Sequence, residues 1–359
     1  MDLEELGWNK HFQRHFDEIA VDGIIAGRIS KVSTSYHYRV ITDKGDRDAV
    51  ISGKLKNKTQ TGAELPTIGD WVLITKTDVK NIIVKVLERK NSISRKVAGR
   101  SVQEQVVGAN IDIVFIVMGL DNDFNLRRLE RYLFMVISSG IEPVVLLNKK
   151  DLVTDNDLAR LKKNVKEVSG NVPVHLISGL NRESLSEILD YTKKGTTATL
   201  VGSSGAGKST IINALMNNEV QPTGKVRSKD DKGRHVTTSR ELFGIPGGGV
   251  LIDNPGIREL QLWGDPSALD DVFDDIHELS LRCRFKNCQH DKEPGCAVKE
   301  AVKDGSLTKK RYDNYQKMKK ELAYLEKKRS IGSEAVKRAK WKGLTNKAKN
   351  YKRYKMEGQ

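Results

Sequence analysis

From position 23 the chain alternates apolar and polar residues in short runs. Segments 23–30, 36–42, 46–52, 71–76 and 81–87 are rich in β-branched and aromatic residues. Turn formers part them, as at Asp43-Lys44-Gly45-Asp46 and Ile68-Gly69-Asp70, the usual punctuation of strands. Five strands in about 70 residues predict a small barrel, and the OB type is the common five-stranded one. Positions 1–20 read as a short helix or arm.

Beyond residue 110 the period changes. Segments 112–118, 143–147, 172–177, 196–201 and 250–252 read as strands. Between them, 125–139, 155–168, 184–189 and 209–216 carry helical spacing. In 125–139 the apolar face is Leu126, Leu129, Leu133, Phe134 and Val136. Strands alternating with helices predict a doubly wound parallel sheet. Ligands of such sheets gather at the carboxyl ends of strands. Asn148, Ser178, Gly202 and Asp253 fall at such ends. The stretch 96–110 is polar and lacks a period, and reads as a linker.

The expected fold is therefore multidomain α/β. It comprises an arm (1–20), an OB-type barrel (21–95), a linker (96–110) and a P-loop domain (111–265). A cysteine-bearing, mostly helical domain (266–308) and a basic helical tail (309–359) follow. A chain of 359 residues accommodates two or three domains.

Composition sharpens this only in places. Apolar residues make up 38% and charged residues 30% of the chain, which suits a water-soluble protein. No apolar run reaches the roughly 20 residues a membrane span needs. The start, Met1-Asp2-Leu3-Glu4-Glu5, is acidic and does not read as a signal or transit peptide. A cytoplasmic, monomeric protein without a membrane partner is expected. Net charge is +15, but residues 309–359 hold 18 Lys and Arg against 5 Asp and Glu. The excess belongs to the tail. Either the tail meets a polyanion such as RNA, or it is a solvated helix.

The chemistry begins at Gly202-Ser203-Ser204-Gly205-Ala206-Gly207-Lys208-Ser209, a Walker A phosphate loop. Its glycines let backbone N–H groups face phosphate oxygens, and the following helix adds its positive end. Lys208 would reach the β- and γ-phosphates, and the Ser209 hydroxyl would bind Mg²⁺. Thr210 completes the nucleotide-facing run. Asp253-Asn254-Pro255-Gly256 has the DxxG form. Asp253 would hold Mg²⁺ through water, and the Gly256 N–H would meet the γ-phosphate. Between the two lies Gly233-Arg234-His235-Val236-Thr237-Thr238. A threonine there can bind Mg²⁺ and sense the γ-phosphate. Thr237 and Thr238 are both candidates.

Asn148-Lys149-Lys150-Asp151 has the guanine-reading NKxD form. The Asp151 carboxylate would accept from the guanine ring N1–H and amine, a pairing adenine cannot offer. Lys149 would lie over the base, and Ser178-Gly179 would present backbone N–H groups to its O6. This element stands well before the phosphate loop that opens at Gly202, whereas in an ordinary GTPase it follows. The parts of a G domain in this order define a circular permutation that binds GTP and GDP.

The chain has three cysteines, Cys283, Cys288 and Cys296, gathered in one short polar segment. With His290 they make a Cys₃His set. Such a set closes all four positions of a structural zinc ion.

These motifs together resemble the small-subunit-dependent RsgA (YjeQ) GTPase family, from about residue 20 to 305. The likeness rests on the NKxD–GxxxxGKS–DxPG order, the Gly-Arg-His-Val-Thr-Thr loop, the helix beginning Asn125-Leu126-Arg127-Arg128, and the cysteine cluster. The resemblance implies an OB domain, a permuted GTPase domain and a zinc domain. It also implies action on the small ribosomal subunit and its rRNA during late maturation, with hydrolysis stimulated by that subunit. The family loop usually reads His-Thr-Thr-Thr, so Val236 leaves Thr237 or Thr238 for the metal.

Ile257 follows Gly256, where many GTPases keep a water-orienting glutamine. Isoleucine cannot orient water, so slow intrinsic hydrolysis is expected. His235, a position where the family carries histidine, is the candidate catalytic group. An RNA-binding factor with GTP as a structural ligand is the alternative reading, and another RNA is an alternative partner.

Overall fold

The computed structural model describes residues 2–19, 23–33, 36–58, 63–76, 80–96, 104–217, 240–253 and 262–328. His235, Thr237, Thr238, Gly256 and Ile257 lie outside these, as does the tail from 329 onward.

The five strands expected in the N-terminal part form. They are β1 (Ile24–Val32), β2 (His37–Thr42), β3 (Gly45–Ile51), β4 (Trp71–Lys76) and β5 (Asn81–Val86). They pair in the order β1-β2-β3-β5-β4, and β4 returns to β1, closing a five-stranded barrel. The β3–β5 pair is parallel and the others are antiparallel. Ile29, Val40, Val72, Ile74 and Ile83 fill its interior. Two helices flank these strands: α1 (Lys10–Asp17), in the arm, and α2 (Gly53–Lys58), after β3. The Ser52 hydroxyl starts α2 by accepting from the Leu55 amide at 3.1 Å.

The 96–110 stretch, expected to be a linker, instead carries a strand. Residues Glu104–Ala109 form β7, which pairs antiparallel with β6 (Ser92–Lys96). Val106, Val107 and Ala109 are buried. The register slips between Ile93 and Ser94, leaving Val107 as an extra residue, so adjacent Val106 and Val107 are both buried and the alternation is broken.

The second unit holds β8 (Ile113–Gly119), α3 (Leu126–Ser138), β9 (Glu142–Asn148), α4 (Asp155–Ser169), β10 (Val174–Leu176) and α5 (Leu185–Leu189). Then follow β11 (Thr197–Val201), α6 (Lys208–Met216), β12 (Arg240–Gly244) and β13 (Val250–Asp253). The strands lie in the order β10-β9-β8-β11-β13-β12, parallel except for β12. Every residue of β8 is buried, which explains its unbroken apolar run. The strand that enters the phosphate loop, β11, lies between β8 and β13.

The C-terminal part contains α7 (Ala268–Val272), α8 (Asp274–Ser280), α9 (Ala297–Asp304) and α10 (309–328). A buried ionic group ties it to α3. Arg311 donates to Glu130 at 2.7 Å and to Asp275 at 2.6 and 2.8 Å, and Asn314 also bonds Glu130. Burial opposes the Arg311 charge, but Asp275 and Glu130 outweigh it and hold its pKa above the ordinary value. Among the described residues no helix is long and apolar enough to cross a membrane.

Barrel and sheet are joined by backbone and by one side chain. Strand β12 pairs with β1 through Lys31–Glu241 and Val32–Arg240. Arg28 on β1 is 1% exposed. Its guanidinium donates to Gly69 O at 3.1 Å, Thr197 Oγ1 at 2.8 Å, Asn110 O at 2.9 Å, and Leu6 O. Those acceptors belong to the barrel, the start of β11, the turn before β8 and the arm. Trp71 lies beside it, 5.4 Å from the ring centroid. Burial pulls its pKa down to about 10, against Asp112 and Asp70, which raise it. The group stays charged at neutral pH. Gly69 has φ +84 and leaves no room for a Cβ, which would sit 2.3 Å from Ala109 O.

Arg28→Met would strand these buried acceptors. It is expected to lower unfolding free energy by about 3 kcal/mol or more in urea titrations. Arg28→Lys should recover only part, because an ammonium cannot fan out to four elements.

Candidate functional site

The phosphate loop is shaped by its neighbours. Gly202 has φ +149, and a Cβ there would lie 2.2 Å from Val117 O on β8. Gly207 has φ +97, and a Cβ would lie 2.1 Å from Asn148 Nδ2. Glycine is therefore required at both ends. Lys208, Ser209 and Thr210 open α6, so the helix N-terminus faces the loop. The Lys208 ammonium lies over the loop, donating to Gly202 O at 2.8 Å and Ser203 O at 2.5 Å.

Asn148 ends β9 and is 3% exposed. Its Nδ2 donates to Ala206 O at 2.9 Å, and its Oδ1 accepts from the Gly179 amide at 2.9 Å. One buried amide thus locks the phosphate loop to the Ser178-Gly179 turn. Ser178 is fully buried, and its hydroxyl donates to Asp151 at 2.5 Å. Lys149, in a left-handed conformation with φ 68, pairs with Asp121 at 2.6 Å. Lys150 turns aside to Glu183 at 2.8 Å.

Asn148, Lys149, Asp151, Ser178 and Gly202 to Thr210 are thus gathered at one edge of the sheet, the carboxyl ends of β9, β10 and β11. Asp253 ends the adjacent β13. His235, Thr237, Thr238 and Gly256 fall outside the described residues. Asp121 and Asp123, which follow β8 at the same edge, belong to no sequence motif and were missed by pattern alone. Their signal was a place just beyond a buried strand, where ligands of such sheets gather.

The second cluster is Cys283, Cys288, His290 and Cys296. Their ligand atoms all lie within 4.8 Å of one another. Cys283 Sγ to Cys296 Sγ is 3.9 Å, and His290 Nδ1 lies 3.6 and 3.5 Å from these two sulfurs. A tetrahedral ion with bonds of about 2.3 Å to sulfur and about 2.0 Å to nitrogen sets these edges near 3.8 and 3.5 Å. The donor set therefore fits a metal ion. His290 is held by its own backbone, with φ 61 and its carbonyl accepting from the Tyr312 hydroxyl. Cys296 caps α9.

A phosphate loop on an inner strand, with the guanine element on a strand that precedes it in the chain, defines a circularly permuted GTPase. A family model described as RsgA GTPase matches residues 86–263. The small ribosomal subunit biogenesis GTPase RsgA of Methanosarcina acetivorans is 39% identical over 351 residues, covering 97% of this chain and 93% of its own. RsgA 1 of Oceanobacillus iheyensis is 42% identical over 311 residues, covering 86% and 88%. The crystal structure of YjeQ from Thermotoga maritima aligns with a TM-score of 0.62 at 27% identity, over 84% of this chain and 99% of that one. YloQ, described as a circularly permuted GTPase, shares the fold, with a TM-score of 0.59 at 24% identity over 86% and 96%. The chain belongs to the RsgA GTPase family.

Elemental analysis of the purified protein should find one metal ion per chain. Cys296→Ser should lose it, and chelation should destabilise the cysteine region by several kcal/mol, read as a lowered unfolding midpoint.

Proposed function

We propose that this GTPase acts in late maturation of the small ribosomal subunit, binding the subunit and its rRNA and hydrolysing GTP to GDP in response. The observation that carries the nucleotide part is Asn148, whose amide bridges the phosphate loop and the Ser178-Gly179 turn. That bridge preassembles the two halves of a guanine-nucleotide site. The subunit assignment rests on the relatives, which bear the name small ribosomal subunit biogenesis GTPase.

In this reading Gly202 to Thr210 cradle the phosphates and Lys208 neutralises charge on the β- and γ-phosphates. Ser209 and Asp253 hold Mg²⁺, Asp253 through water. Asp151 reads guanine while Ser178 positions its carboxylate, and Lys149 covers the base. Gly256 meets the γ-phosphate, Thr237 or Thr238 senses it, and His235 moves in to assist water attack. The metal of the Cys₃His cluster is zinc. With four protein ligands it has no open position and holds structure. The domains divide as a barrel (21–95), a GTPase domain (111–265), a zinc domain (266–308) and a basic extension (309–359) that meets RNA. The protein works as a cytoplasmic monomer.

The signal route follows from connectivity. A short stretch of chain joins Ile257 to Cys283, with no other motif between them. A loop reorganised by loss of the γ-phosphate therefore pulls directly on the zinc domain. GTP holds one mutual arrangement of the domains that fits the RNA surface, and hydrolysis releases it.

Ile257 favours a second reading, in which GTP is a structural ligand of an RNA-binding factor and its hydrolysis is incidental. Multiple-turnover hydrolysis with and without purified small subunits separates the two. The GTPase switch predicts strong stimulation, abolished by Lys208→Ala and cut at least about 100-fold by His235→Ala. Tight subunit binding without stimulation would favour the second reading.

A further inference from the structure

The turn between β8 and α3, residues 120–124, is used by none of the motifs above. It folds under itself. The Asp123 amide donates to Asp121 Oδ1 at 3.1 Å, and the Phe124 amide to Asp121 O at 3.0 Å. Gly119 makes the fold-back feasible, since a Cβ there would lie 2.7 Å from Asp121 Oδ1. The Leu120 amide donates to Asn148 O at 2.9 Å. Asn125 then caps α3, accepting from the Arg128 amide at 3.1 Å.

The turn aims its two carboxylates in different directions. Asp121 pairs with the Lys149 ammonium at 2.6 Å, with side chains 31% and 20% exposed. Asp123, with a side chain 15% exposed, accepts from the Ser203 hydroxyl and pairs with Arg128 at 2.8 Å. Arg128 also donates to Asp123 O at 2.5 Å, so the second carboxylate is itself braced from α3. Burial alone would raise the Asp121 carboxyl. Lys149 and the Asp123 amide outweigh that and hold it below the usual range.

We infer that residues 120–124 form a two-carboxylate bracket, in which Asp121 positions Lys149 over the guanine and Asp123 positions Ser203 in the phosphate loop. A lysine on its own samples many rotamers, and ordering it on nucleotide binding costs entropy. The Asp121 pair removes much of that cost beforehand. A phosphate loop gains catalytic value from dipoles fixed before charge develops, and Asp123 fixes one side chain of that loop. Both are positioning residues. The inference rests on the nucleotide site proposed above.

The test is a set of double-mutant cycles on GDP affinity, with GTP turnover measured in parallel. Asp121→Asn and Lys149→Met should each weaken GDP about tenfold, and together no more than either alone. Asp123→Asn and Ser203→Ala should behave likewise as a pair. Crossed pairs, such as Asp121→Asn with Ser203→Ala, should add. Base contacts are made equally in ground and transition states, so the Asp121→Asn loss should fall on KM. The Asp123→Asn loss should reach kcat as well. Unfolding midpoints of all variants identify any general loss of fold, and Lys149→Met probes the first pair without disturbing the turn. Wild-type affinity in Asp121→Asn, or additive matched pairs, would overturn the bracket. Failure of the unsubstituted protein to bind GDP would instead overturn the nucleotide site itself.

Discussion

One buried guanidinium holds the molecule's two main units in register. Arg28 leaves the barrel strand β1 and bonds the arm, the turn before β8, the Gly69 turn and Thr197 at the start of β11. A buried charge is costly unless its donors are met, so this arrangement tolerates little rotation between barrel and sheet. Strand β11 runs from that bond straight into the phosphate loop. The same sheet continues through β13 and β12 into β1. The barrel is thus an extension of the nucleotide-binding sheet and not a bead on a string.

The opposite side of the GTPase unit is tied by a different charge group. Glu130 on α3 meets Arg311 on α10, and Arg311 also meets Asp275 on α8. Helix α3 begins at the turn that carries Asp121 and Asp123. Nucleotide site and C-terminal helices therefore share one helix as well as one chain connection.

Much of this was legible from residue order. The phosphate loop, the guanine element and the cysteine set are short patterns whose chemistry demands particular residues at fixed spacing. The barrel strands showed because each is half-buried and alternates. Strand β8 showed because both its faces are covered. What escaped depended on distant partners. Strand β12, Arg-Glu-Leu-Phe-Gly, is short, buries only Leu242 and owes its place to β13 and β1. The β6–β7 ribbon is mostly polar. Arg28 looked like any strand arginine, since its four acceptors lie far off in the chain, Thr197 the farthest. Asp121 and Asp123 match no motif, and only their partners Lys149 and Ser203 give them a place in the site.

In the proposed cycle GTP and GDP select different arrangements of the molecule, only one of which suits the subunit. A ligand moves such an equilibrium only through differential binding. The direct measurement is the affinity of the protein for purified small subunits, saturated first with a non-hydrolysable GTP analogue and then with GDP. Binding at least about tenfold tighter is expected in the first state. Equal affinity in the two states would rule out that cycle.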